Sequence, residues 1–122
     1  MQSSPQPKMP VIFYQTPAGG DAVLDWLKSL EQGERAAIGQ DLMRVQFRWP
    51  VGMPFCRPMG DGLWEVRSHL PSGNIARIMF CIVENHILAL HGFIKKTQKT
   101  PQDDLKLAIK RKQEFLGKQG MS

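Results

Sequence analysis

Apolar and polar residues alternate along this chain with two different periods, and the change of period falls near residue 51. Before it, Val11, Ile12, Phe13 and Tyr14 form a short β-prone run that Thr16-Pro17-Ala18-Gly19-Gly20 breaks. Asp21 then stands where a helix N-cap belongs, and Val23, Trp26, Leu27 and Leu30 recur at the i, i+3, i+4, i+7 spacing of one helical stripe. Past Glu31-Gln32-Gly33, Ile38, Leu42, Val45 and Trp49 place a second helix over about residues 34–47. Trp49-Pro50 stops it, because a residue before proline is pushed out of the α region.

Beyond Val51 the chain reads first as a loop, with Gly52, Pro54, Pro58, Gly60 and Gly62, and then as strands. In residues 63–70, Trp64 and Val66 alternate with Glu65, Arg67 and His69. Pro71-Ser72-Gly73-Asn74 is a turn, residues 75–83 a second strand, and Glu84-Asn85 turns into a third over residues 86–93. Close in sequence, the three predict an antiparallel meander. A last helix begins with Thr100 as N-cap, Pro101 at the first helical position and Asp103 as an early acid. Leu105, Ala108, Ile109, Phe115 and Leu116 form its apolar side, and Lys112 falls within that stripe, where it must snorkel or pair.

The expected order is β-α-α-β-β-β-α, an α+β fold in which helices cover an antiparallel, twisted sheet chiefly on one face. Residues 11–118 make one domain, with tails at 1–10 and 119–122, since a chain of 122 residues has room for a single core. No apolar run approaches the roughly 18 residues of a membrane span. The opening MQSSPQPKMP lacks the apolar stretch of a secretory signal, so a cytoplasmic protein is expected. Cys56 and Cys81, far apart and without metal-site spacing, read as buried thiols. His69, His86 and His91 share no HxxxH or HExxH spacing, which points away from a zinc enzyme.

Charge changes the picture. The net charge is +5. Residues 95–118 hold Lys95, Lys96, Lys99, Lys106, Lys110, Arg111, Lys112 and Lys118 against Asp103, Asp104 and Glu114, which accounts for the whole excess. Such a concentration captures polyanions, or it is a solvated helix face. Glu65, Arg67 and His69 share one strand face, and Arg77 joins them if it pairs directly with Arg67; a one-residue slip would send it to the other side. Like charges opposite one another then need a counter-ion, from Glu65 or a bound phosphate. A cluster of arginine and lysine, with Lys95 and Lys96 at the end of the last strand, suits phosphoryl transfer without a metal, since RNA brings its own 2′-hydroxyl nucleophile. Taken singly, Glu65 and Arg67 are an ordinary surface ion pair, and His69 an exposed strand residue. His91, alternating with Ile87, Ala89 and Phe93, reads as a core histidine. Trp64 and Phe93 pack in the core or stack on bases.

Three segments, Asp61-Gly62-Leu63-Trp64-Glu65-Val66-Arg67, Leu90-His91-Gly92-Phe93 and Lys95-Lys96-Thr97-Gln98-Lys99-Thr100-Pro101, resemble the RelE/ParE toxin superfamily, in its HigB-like, phage-derived branch. The similarity covers about residues 11–116. It implies ribosome-dependent messenger-RNA cleavage that leaves a cyclic phosphate, with no metal or cofactor. It also implies a helix-turn-helix antitoxin as partner, through which alone the protein meets operator DNA. By the same resemblance Arg67 contacts the scissile phosphate, Lys95 and Lys96 stabilise charge or protonate the leaving oxygen, and Glu65 orients Arg67. Arg77, His69, Lys99, Lys106 and Lys110 are the remaining RNA-binding candidates. One departure stands out: many such toxins carry a tyrosine or histidine near the C-terminus, whereas the only tyrosine here is Tyr14. The superfamily also contains gyrase poisons without nuclease activity, and a non-catalytic host-inhibition protein is a further alternative, because a fold does not decide between such functions.

Overall fold

In a computed structural model, which describes residues 8–53, 55–95 and 101–118, the chain runs β1 (Val11–Phe13), α1 (Ala22–Lys28), α2 (Gln32–Arg48), β2 (Cys56–Gly60), β3 (Leu63–His69), β4 (Ile75–Val83), β5 (His86–Lys95) and α3 (Gln102–Lys118). The five strands form one sheet in the order β1-β5-β4-β3-β2. Neighbours are antiparallel except for β1, which lies parallel to β5. The α+β architecture with a terminal helix is the one expected from the apolar periods. Among the described residues no helix is long and apolar enough to cross a membrane.

The helices, however, divide between the two faces. Val66, Ile78, Phe80, Ile87 and Ala89 meet Val23 of α1 and Ile38, Leu42 and Val45 of α2 on one side. Leu63, Met79, Cys81, Leu88 and Leu90 meet Ala108, Leu105, Ile109 and Phe115 of α3 on the other. The expectation of helices chiefly on one face is corrected by β4, whose first seven residues are all buried. A strand apolar on both sides requires a cover on each.

A strand absent from the sequence reading, β2, occupies the sheet edge. Pro58 within it argues against a central strand but suits an edge, where its missing N–H breaks no ladder. The packed chain also starts before the expected boundary at residue 11. Met9 is buried and donates its N–H to the Gln46 carbonyl at 2.9 Å, and the Pro10 carbonyl accepts from the Ile87 N–H at 2.9 Å.

β5 carries a bulge. Met79 pairs with His91 but Phe80 with Ala89, so Leu90 is the extra residue. The alternation expected for Ile87, Ala89, His91 and Phe93 is thereby broken: the first two face α1 and α2, while His91 and Phe93 turn to the α3 side. Gly92 returns to the α1 side, where Trp26 lies so close that a Cβ at this position would stand 2.4 Å from Cζ3 of its ring.

Gly92→Ala is therefore expected to destabilise the protein by about 1–3 kcal/mol, the usual cost of overpacking. Urea denaturation measures it, and Trp26→Leu in the same chain should recover part of the loss. Burial pushes the Cys56 thiol up from 9.0 to about 11. The folded state favours the neutral thiol, so this contribution is complete below pH 9 and is lost as pH rises toward about 11. Between those values, urea midpoints of Cys56→Ala should fall less steeply with pH than those of the wild type.

Candidate functional site

The hairpin between β3 and β4 closes on residues 70–74. The Leu70 N–H donates to the Asn74 carbonyl at 2.9 Å, and the Gly73 N–H to the Leu70 carbonyl at 2.9 Å. Gly73 lies at φ +91°, a conformation that glycine adopts without strain. That closure sets Arg67 directly opposite Arg77, and Glu65 opposite Met79. Alternation then puts Glu65, Arg67, His69 and Arg77 on one face of the sheet, the α3 side. On β5 the partner of Arg77 is Phe93, and the Arg77 guanidinium carbon lies 6.0 Å from the centre of that ring.

Glu65 and Arg77 are fully buried, whereas the Arg67 side chain is 19% exposed. The Arg67 Nε donates to Glu65 Oε1 at 2.9 Å. Burial pushes the Arg77 guanidinium below its ordinary range, and the Glu65 carboxylate opposes that shift. Arg67 and Arg57 act in the same direction as burial, while Asp104 of α3 acts with Glu65. Arg57 faces Glu65 across β2 and β3. It was missed in the sequence because its strand read as loop, although its place two residues after Phe55 and one before a proline marks an edge.

Beside this cluster lies a groove of about 440 Å³ between α2 and the end of β3. Arg67, His69 and Ile75 line it from the sheet, Gln40, Asp41 and Arg44 from α2, and Met53 and Phe55 from the connection to β2. Arg67 thus belongs both to the buried ion cluster and to an open surface. A guanidinium fixed by a buried carboxylate, with an exposed imidazole two residues along the strand, can clamp a phosphate and move a proton next to it.

The other expected residues are distributed differently. Lys95 ends β5 opposite Ile75, whereas Lys96 and Lys99 lie outside the described residues. Lys106 and Lys110 are exposed, one turn apart on α3. Two more of the C-terminal cations serve packing. Arg111 donates to the Leu90 carbonyl at 2.8 Å and lies 5.2 Å from the Tyr14 ring centre, and Lys112 donates to the Asp61 carbonyl in the turn between β2 and β3. Tyr14 itself donates to Glu114, and burial together with that bond raises its pKa. It follows β1 at the sheet edge away from β3. His91 bonds Asp104 at 2.6 Å and stacks on Phe93, tying the first turn of α3 to β5. Both cysteines are buried and free.

Residues 25–113 match the profile of a protein family described as phage derived protein Gp49-like (DUF891), a span running from α1 into α3. A search of curated proteins finds none that matches this chain.

Truncating Glu65 removes the larger of the two carboxylate contributions that offset the burial of Arg77. Glu65→Ala should cost about 3–5 kcal/mol in urea denaturation, and replacing Glu65 and Arg77 together by leucine and methionine should restore most of it.

Proposed function

The chain belongs to the phage-derived Gp49-like family, a family of the RelE/HigB toxin type, and on that premise we propose that it is the toxin of a toxin–antitoxin pair and cuts messenger RNA on the ribosome without a resident metal ion. The observation that carries the reading is Arg67: held by buried Glu65, paired across the sheet with Arg77, and exposed to a groove that also contains His69. An RNA phosphodiester needs little more. The 2′-oxygen attacks phosphorus and loses its proton, the bond to the 5′-oxygen breaks, and that oxygen takes up a proton, leaving a cyclic phosphate and a 5′-hydroxyl. In this reading Arg67 forks onto the phosphate and stabilises charge that grows in the transition state. Glu65 orients Arg67, and Arg77 adds a second fixed charge behind it. His69 is the group in the groove that can pass on a proton, its ring carrying both a donor and an acceptor nitrogen. Lys95 and Lys96 stabilise further charge on the reacting phosphate, while Lys99, Lys106 and Lys110 steer the polyanion.

The partner that this role requires is an antitoxin, of the helix-turn-helix class, which would also be the route to operator DNA. Its restraint of the toxin would be by covering the groove or by blocking ribosome entry.

Added to translating ribosomes, the wild-type protein should leave cut message with 5′-hydroxyl ends. Arg67→Ala should slow cleavage about 100- to 1000-fold and His69→Ala roughly 100-fold. Intact message during growth arrest would overturn the reading; linearised plasmid in its place would identify a gyrase poison. Toxicity that survives an Arg67/Lys95 double alanine variant would identify a binding protein.

A further inference from the structure

The groove is larger and more varied than a phosphate clamp needs. We propose that it seats the nucleobase next to the cut phosphate, stacked on Phe55 and read along its edge by Asp41, with guanine as the preferred base; the proposal deepens the nuclease reading of Arg67 and rests on it.

Phe55 carries the first part. Its side chain is 42% exposed, yet it lies among charged groups at the mouth of the groove. The Arg44 guanidinium sits 4.3 Å from its ring centre. An arginine laid on a phenyl ring forms a flat, positively charged pair, and a base added as a further layer gains both stacking and electrostatic attraction. Single-stranded RNA offers such a base with its pairing edge unused.

Asp41 carries the second part. It lines the same wall as Arg44, and its side chain is 22% exposed. Its contact with Arg44, at 3.5 Å, is long for a charged hydrogen bond. A carboxylate has about four acceptor sites, so capacity remains for another donor. The edge of guanine presents a ring N–H and an amino group side by side, two donors that match two carboxylate oxygens. Adenine and cytosine pair an amino group with a ring acceptor, and uracil sets its N–H between two carbonyls. Each of these would aim at least one acceptor at the carboxylate. Gln40, beside Asp41, can donate to the guanine carbonyl. Because Arg67 borders the groove and belongs to the ion cluster, base and phosphate would share one residue, as adjoining parts of one nucleotide require.

The test uses the full chain and a short fluorescent 2′-O-methyl RNA, which lacks the attacking hydroxyl and is not cut. Oligonucleotides with a single guanine, inosine or adenine in an otherwise uridine sequence are titrated by anisotropy. Guanine should bind roughly tenfold tighter than adenine, with inosine between them. Phe55→Ala should weaken binding roughly tenfold, and Phe55→Tyr should retain it. Asp41→Asn should erase the guanine preference and strengthen adenine binding, because an amide offers the acceptor and donor that match adenine's amino group and ring nitrogen. Wild-type affinity in Phe55→Ala, or a guanine preference that survives Asp41→Asn, overturns the subsite. The two readings fail separately. Message cut at the same positions and rate by Phe55→Ala removes the subsite and keeps the nuclease. Guanine-selective binding that depends on Phe55, with no message cut, removes the nuclease and keeps the base site.

Discussion

Glu65 is an anion placed where the sheet itself could not tolerate two cations. The β3–β4 register opposes Arg67 to Arg77, and like charges directly across a ladder repel. Burying one of them adds a desolvation cost of several kcal/mol unless an opposite charge is at hand. Glu65 supplies that charge from the same strand and the same face, and Asp104 adds a weaker one from α3. The arrangement fixes the geometry of Arg67, whose side chain is held at one end by a buried carboxylate while its surface reaches solvent. A lysine is not equivalent, since it lacks the planar fork of donors through which the Arg67 Nε bonds Glu65.

The same face shows how a local irregularity redistributes function. Without the bulge at Leu90, His91 and Phe93 would sit on different sides of the sheet from the ones they occupy relative to Ile87 and Ala89. With it, His91 reaches Asp104 and Phe93 backs Arg77, so the first turn of α3 is anchored beside the ion cluster. Further along α3, Arg111 and Lys112 cap carbonyls of Leu90 and Asp61. Part of the basic excess in the C-terminal stretch is therefore structural, and the exposed share on the described part of α3 lies with residues such as Lys106 and Lys110.

These features differ in how far the amino-acid order reveals them. The opposition of Arg67 and Arg77 was legible only as one of two registers, because period two assigns alternate faces while the closure of the turn around Gly73 decides between direct pairing and a one-residue slip. The core stripes of α1 and α2 were legible outright, since Val23, Ile38, Leu42 and Val45 are buried as their spacing predicts. The side on which α3 packs was not, because its apolar stripe would be the same against either face; the informative signal was the unbroken apolar run of β4. The inward face of His91 was hidden because a bulge leaves no local signature beyond an extra residue. β2 was hidden by Pro58, which reads as a loop until its edge position is known. With β2 went Arg57, and with the loop reading went Phe55 and its stacking partner Arg44, about one helical turn and a connecting loop apart along the chain though 4.3 Å apart in space.

The short reach of β2 explains why the groove exists at all. Its pairing with β3 begins at Cys56 opposite Val66, so β2 has no partner residue for positions 67–69 of β3 among the described pairings. An exposed strand edge is usually a liability, open to pairing with another chain. Here the connection that carries Met53 and Phe55, together with the side of α2 that carries Asp41 and Arg44, stands beside that edge and guards it with charge and bulk. Extending β2 by three residues would complete the ladder opposite positions 67–69, but it would also fill the space in front of Arg67 and His69. A sheet edge left incomplete is thus the geometric condition for a guanidinium anchored in the interior to meet a ligand from outside.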